Sequence, residues 1–166
     1  MATLPRYYPL PQPDWRPLQE GDVAYVAALE AQIHKMPWTP GNFRDALAAG
    51  YSTSVGVREG RIVAYGVLML APGEAQILNL SVVPDSRREG LGRELLRRFV
   101  DDARRLGADQ IFLEVRVSNA PAIALYAAEG FAPVGRRDGY YPALADGETR
   151  EDALVMRRPV VMPRPA

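Results

Sequence analysis

The sequence predicts an α/β (α+β) fold, a mixed and mostly antiparallel central sheet of about seven strands flanked by about four helices. Three observations carry this expectation. Three extended segments follow one another across short turns between Ser52 and Val83. A long helical stripe then links the strand before Pro84 to a strand beginning at Ile111, and a helical crossover of that kind joins parallel neighbours. Two further strands close the chain, so the sheet is antiparallel in its first half and locally parallel in the middle.

The 166 residues, 48% of them hydrophobic, suit one domain with a real core. We expect it over 16–160, after a proline-rich arm at 1–15 and before a short tail at 161–166. Pro5, Pro9, Pro11 and Pro13 exclude a helix in the arm, which Tyr7, Tyr8 and Trp15 could pin to the surface. From Gly21 onward Val23, Val26, Leu29 and Ile33 recur at helical spacing, with Asp22 in the first turn. Thr39 and Pro40 open a second helix as cap and first residue, and Gly50 closes it. The strands Ser52 to Arg58, Arg61 to Leu70 and Ala75 to Val83 form a meander through Glu59-Gly60 and Pro72-Gly73.

Leu91, Leu95, Phe99, Ala103 and Leu106 mark the face of the third helix, while Glu94 with Arg98 and Asp101 with Arg105 stand at pairing distance on its wet side. From Ile111 to Val117 apolar residues alternate with Phe112, Glu114 and Arg116, as in a strand with two unlike faces. Asn119 caps a fourth helix that Gly130 ends, and Phe131 to Arg137 and Ala153 to Arg158 are the last strands, with a tyrosine-rich loop between them.

Composition excludes several functions. The chain has no cysteine, so disulfides, thiolate metal sites and a cysteine nucleophile are absent. Twenty basic residues balance twenty acidic ones, against the broad positive surface of a nucleic-acid binder. Neither a bilayer-crossing apolar run nor a secretory signal pattern is present, so a cytoplasmic protein with no membrane partner is expected. No residue cluster suggests a metal. His34, the only histidine, stands at the end of the first helix, where a cation is favourable.

The segment Arg87-Arg88-Glu89-Gly90-Leu91-Gly92 lies between a strand and a helix. Its backbone N–H groups converge at a helix start, and glycine at 90 and 92 leaves room for an anion, so phosphate binding is its natural use. The string lacks the Gly-Lys-Ser/Thr ending of a triphosphate loop, and a dinucleotide fingerprint would need glycine where Leu95 stands.

With Leu78-Asn79-Leu80-Ser81-Val82-Val83-Pro84 ahead of it, Leu113-Glu114-Val115-Arg116 and Ser118-Asn119 after it, and Ala124-Leu125-Tyr126 with Gly130-Phe131 beyond, the segment resembles the GCN5-related N-acetyltransferase (GNAT) superfamily. More narrowly, Tyr140-Tyr141-Pro142 followed by Glu151-Asp152-Ala153 looks like the RimI-type enzymes, which acetylate the N-terminal alanine of a small-subunit ribosomal protein. The proline-rich arm and the stretch from Pro142 to Glu151 depart from that pattern on the substrate side.

The resemblance implies acetyl-CoA as cosubstrate and a protein N-terminus as acceptor. Its pyrophosphate would lie on Arg87, Arg88, Glu89, Gly90, Leu91, Gly92 and Arg93. Leu80, Ser81 and Val82 would line the thioester, with a main-chain N–H near Ser81 or Val82 polarising its carbonyl. Asn119 would meet the cofactor arm, although it serves equally well as a helix cap. Glu114 would be the general base, and its plainer reading is a strand glutamate paired with Arg116. Tyr126 would protonate the departing thiolate, and its plainer reading is packing against Phe131. Tyr140 and Tyr141 would form a rim for the peptide. No protein nucleophile is needed, so direct attack in a ternary complex is expected. A relative acting on a small amine or a lysine side chain, and a non-catalytic CoA-binding domain, are the alternatives.

Overall fold

The computed structural model describes residues 9–162. Pro5, Tyr7, Tyr8 and most of the expected tail lie outside the described residues. The strands are β1 (Asp14–Arg16), β2 (Ser52–Arg58), β3 (Arg61–Ala71), β4 (Glu74–Val82), β5 (Gln110–Arg116), β6 (Ala132–Tyr141) and β7 (Glu151–Pro159). The helices are α1 (Val23–Ile33), α2 (Pro40–Ala48), α3 (Leu91–Arg105) and α4 (Ala120–Ala128). One seven-stranded sheet runs β1-β2-β3-β4-β5-β7-β6. Only β4 and β5, joined by the α3 crossover, are parallel.

Each sheet face has its own core. Leu95, Leu96, Phe99 and Ala103 of α3 pack on Leu68, Ile111 and Leu113, while Val23 and Val26 of α1 and Phe43 of α2 pack on Val55, Tyr65 and Val67. Burying each large apolar side chain contributes about 1.5–3 kcal/mol. Gly66 lets α3 approach, because a Cβ there would stand 2.7 Å from Phe99. Leu106, expected in the apolar stripe, is 59% exposed at the helix end.

The surface pairs expected along α3 form with other partners. Glu94 accepts a hydrogen bond from the Trp15 indole at 2.7 Å, Arg98 lies over the same ring, and Arg105 turns to Asp102. For Glu94 and Arg98 a tertiary partner outcompetes the helical neighbour, since an exposed i,i+4 pair is worth only about 0.3–0.5 kcal/mol, while Arg105 exchanges one helical neighbour for another. Trp15 belongs to β1, which pairs with β2, so ordered sheet begins two residues inside the segment expected as an arm. The indole fills the space above Gly56 that a Cβ would occupy.

Four register shifts interrupt the described ladders, and two of them shape the site. Val67 faces Asn79 but Leu68 faces Ile77, which leaves Leu78 as an extra residue on β4. On β6, Arg137 faces Ala153 and Tyr141 faces Glu151, so three residues stand opposite Asp152 alone. The Asp152 carboxylate fills that gap by accepting from the Gly139 N–H at 2.7 Å. Tyr140 and Tyr141 are therefore the end of a strand, not part of the expected loop. Among the described residues no helix is long and apolar enough to cross a membrane.

Candidate active site

β4 and β5 pair only from Glu74 opposite Gln110 to Ile77 opposite Leu113. Beyond the Leu78 bulge they part, opening a cleft of about 520 Å³. Its walls bring together Leu80, Glu114, Asn119, Tyr126 and Tyr141, and also the end of α1 at His34.

The parting leaves donors unpaired. Val83 donates to the Val63 carbonyl at 3.0 Å, and Ser81 stands opposite Tyr65 two residues further along the ladder. Antiparallel alternation then turns the N–H of Ser81 toward β3 and those of Leu80 and Val82 toward the cleft. The expectation for Ser81 is corrected accordingly: its N–H belongs to the sheet, and its side chain points to the α1 face, where it meets His34 and Asn79.

Past Pro84 the chain winds into the turn before α3 with Arg88 at φ 66° and Gly90 at φ 81°. Both are left-handed, a conformation that glycine tolerates and arginine adopts at a cost of about 1–3 kcal/mol. Glu94 donates to the Gly90 carbonyl at 3.0 Å and begins the helical ladder, so the N–H groups of Leu91, Gly92 and Arg93 have no helical acceptor and sit at the positive end of α3. The two glycines differ. A Cβ on Gly90 would meet nothing within 4 Å, whereas one on Gly92 would touch Leu125, Val82 and Leu80. Three side chains of the segment have protein partners: Glu89 binds Arg58, Arg93 binds Glu129, and the Arg87 Nε donates to the Val82 carbonyl. The segment offers a ligand main-chain N–H groups, which fit a pyrophosphate.

Asn119 caps α4 by accepting from the Ala122 N–H at 3.3 Å and also borders the cleft. Tyr126, on the next turns of that helix, is 9% exposed, and its ring lies 6.0 Å from that of Phe131. The packing on Phe131 is formed, and the residue also borders the cleft. Burial, with the neighbouring Tyr141 adding to it, pushes the Tyr126 phenol up to about 12, so it carries its proton at neutral pH.

Glu114 borders the cleft from β5 on the face away from Leu113. Its partner is not Arg116. Arg137 of β6 reaches it at 2.9 Å, while Arg116 binds Glu151 at 3.2 Å and lies 4.1 Å over the Tyr141 ring. Glu114 and Arg116, two residues apart on β5, thus reach different strands, β6 and β7, which the sequence does not specify. Tyr140 and Tyr141 stack edge to face with centroids 5.0 Å apart. The Glu114 carboxylate beside it, with burial second, raises the Tyr140 phenol, and burial followed by Glu114 raises that of Tyr141.

A polar group that the sequence reading missed lies on the α1 side. Glu30 is 2% exposed and accepts from the Tyr65 hydroxyl at 2.6 Å, from Asn79 Nδ2 at 3.1 and 3.2 Å, and from the Trp38 N–H at 3.4 Å. Ser81 donates to Asn79 Oδ1 at 2.8 Å, and His34 Nε2 lies 2.7 Å from Ser81 Oγ. His34 is thus not simply a cation at a helix end. The Glu30-x-x-x-His34 spacing, one helical turn, was the available signal.

A helix start with unpaired N–H groups follows a parted pair of parallel strands, and a tyrosine and a carboxylate border the cleft between those strands. The family model described as "Acetyltransferase (GNAT) family" matches residues 7–131. The chain belongs to the GNAT family. This GNAT chain is 36% identical over 145 residues to the [ribosomal protein bS18]-alanine N-acetyltransferase of Escherichia coli (strain K12), covering 87% of this chain and 96% of that one. It is 37% identical over 148 residues to the N-alpha-acetyltransferase RimI of Mycobacterium tuberculosis (strain ATCC 25618 / H37Rv), covering 85% and 89% respectively. Among solved structures, the crystal structure of the ribosomal-protein-S18-alanine N-acetyltransferase from Escherichia coli superposes with a TM-score of 0.82 at 33% identity, over 91% of this chain and 96% of that one. As a GNAT member the chain is an acetyl-CoA-dependent N-acetyltransferase. Among the described residues no group of three or more His, Asp or Glu is arranged to hold a metal ion.

Proposed function

We propose that this enzyme transfers the acetyl group of acetyl-CoA to the α-amino group of a protein N-terminus, the N-terminal alanine of a small-subunit ribosomal protein. The parting of β4 from β5 beside Glu114 and Tyr126 carries this reading, and likeness to enzymes named for that alanine supports the choice of acceptor. With a ribosomal protein as acceptor, the reaction runs in the cytoplasm.

The N–H groups from Arg88 to Arg93 hold the pyrophosphate, with the positive end of α3 behind them. Asn119 faces the cofactor arm. The free N–H of Val82, or that of Leu80, donates to the thioester carbonyl oxygen and favours the charge that grows there. Glu114 takes a proton from the substrate ammonium, directly or through water, so that nitrogen has a lone pair with which to attack. The C–N bond forms as the C–S bond breaks, and Tyr126 gives its proton to the thiolate. Tyr140 and Tyr141 line the peptide's entry.

Attack is direct, because the chain has no cysteine and the cleft holds the two reactants together. Incubation with radiolabelled acetyl-CoA and no amine therefore leaves the protein unlabelled after denaturation. A covalent acetyl-enzyme recovered in that experiment would contradict the mechanism.

A further inference from the structure

The chemistry proposed above removes two protons from one nitrogen, since R–NH₃⁺ becomes R–NH–C(O)CH₃. One proton replaces the bond that CoA sulfur loses, by way of Tyr126, and the other leaves as H⁺. Glu114, held by Arg137 at 2.9 Å, takes one of them from the β5 side of the cleft. A second acceptor on the β4 side would take the other proton.

The hydrogen-bond chain beneath His34 has only one consistent direction. Glu30 is an acceptor, so Asn79 must present Nδ2 to it, which leaves Oδ1 to accept from Ser81. The Ser81 hydroxyl has donated its only proton and can meet His34 Nε2, 2.7 Å away, solely as an acceptor. His34 must therefore carry hydrogen on Nε2, and Glu30 Oε2, 3.7 Å from the same nitrogen, favours that placement too. In the neutral ring Nδ1 is then bare. The imidazole is 39% exposed and borders the cleft across from Glu114. Charged groups facing it are Glu30 from α1 and, across the opening, Glu114 and Arg116 of β5 and Glu151 of β7, with Lys35 adjacent in the chain.

We propose that His34 is a further catalytic residue, held by Glu30, Asn79 and Ser81 in the Nε2–H tautomer so that its Nδ1 accepts the second proton leaving the substrate amine. The inference rests on the proposed function. The nitrogen–proton bond breaks, the Nδ1–H bond forms, and the proton passes from His34 to solvent or back to Tyr126 before the next turnover.

His34 is the only histidine, so untagged protein labelled with ¹⁵N-histidine gives one imidazole spectrum. Long-range ¹⁵N–¹H correlation at alkaline pH should show protonated Nε2 and bare Nδ1, and Ser81→Ala should mix the tautomers. A predominant Nδ1–H form overturns the proposal. In steady-state assays with an alanine-initiated peptide, His34→Gln keeps an amide donor for Ser81 but no basic nitrogen, so kcat should fall about 100-fold with KM for both substrates within about twofold. Added imidazole should restore rate to His34→Ala. An active wild type with an equally active His34→Gln overturns this inference alone. A wild type that acetylates no amine overturns the proposed function and this inference together.

Discussion

Arg137 closes on Glu114 from the neighbouring half of the sheet at 2.9 Å, so the carboxylate facing the acceptor amine is fixed in direction by a strand about twenty residues downstream. Glu114→Gln keeps the side-chain shape and an oxygen for Arg137 but cannot take a proton. Turnover should fall about 100-fold or more, and acetyl-CoA affinity measured by calorimetry should stay unchanged. A variant retaining full rate at neutral pH would remove Glu114 from the mechanism.

Tyr126 makes an alkaline prediction with a definite sign. The folded state raises its phenol from 10.0 to about 12, so between those values the unfolded chain has lost a proton that the native protein keeps. Stability is fully present below about pH 10 and declines as pH approaches 12, by roughly 2–3 kcal/mol for a shift of that size. Urea unfolding midpoints should drop across this window in the wild type and less steeply in Tyr126→Phe. The same variant should lose turnover while binding acetyl-CoA normally.

The anion loop separates its two glycines. Gly90 has φ 81°, so Gly90→Ala should destabilise the turn by about 1–2 kcal/mol and weaken CoA binding in proportion. Gly92 has ordinary helical backbone, and a Cβ there would sit 3.4 Å from Leu125, an ordinary contact. Gly92→Ala should bind CoA nearly as well as the wild type, while Gly92→Val should not, because its extra methyl groups crowd the gap between Val82, Leu80 and Leu125. Calorimetric titration with CoA distinguishes the three.

Much of this was legible in the sequence, for reasons of local physics. Helices α1 to α4 follow from 3.6-residue periodicity and caps at Thr39 and Asn119, and the meander follows from alternation between turn glycines. The turn at Gly90 was visible because only an unusual backbone calls for glycine between a strand and a helix. Pairings between elements were not legible. Trp15 took Glu94 from Arg98, and Arg137 took Glu114 where Arg116 stood nearer in sequence. The bulges escaped notice, since an extra residue is defined only against its partner strand. The buried Glu30 was invisible for the same reason, its partners Tyr65 and Asn79 lying 35 and 49 residues away.

The β6 bulge is a device for aiming Tyr140 and Tyr141, and Asp152 holds it through Gly139 and through Arg136 at 2.7 Å. The Gly139 N–H, and Arg136 second, keep the Asp152 carboxyl below its ordinary range, so the clamp should persist in mild acid and release only as pH falls through that lowered value. Asp152→Ala orphans the Gly139 N–H and frees the tyrosine pair. KM for the peptide should rise, with KM for acetyl-CoA unchanged. An equal rise in both would mean that Asp152 supports the whole fold instead.

The most direct test of the account is the acceptor itself. Purified enzyme is given acetyl-CoA and a panel of peptides identical but for the first residue, together with a lysine-containing peptide blocked at its N-terminus and a free polyamine, and the products are mapped by mass spectrometry. One acetyl group should appear on the α-nitrogen of the alanine-initiated peptide, formed faster than any other product. Preferential acetylation of the blocked lysine peptide or of the polyamine would contradict it.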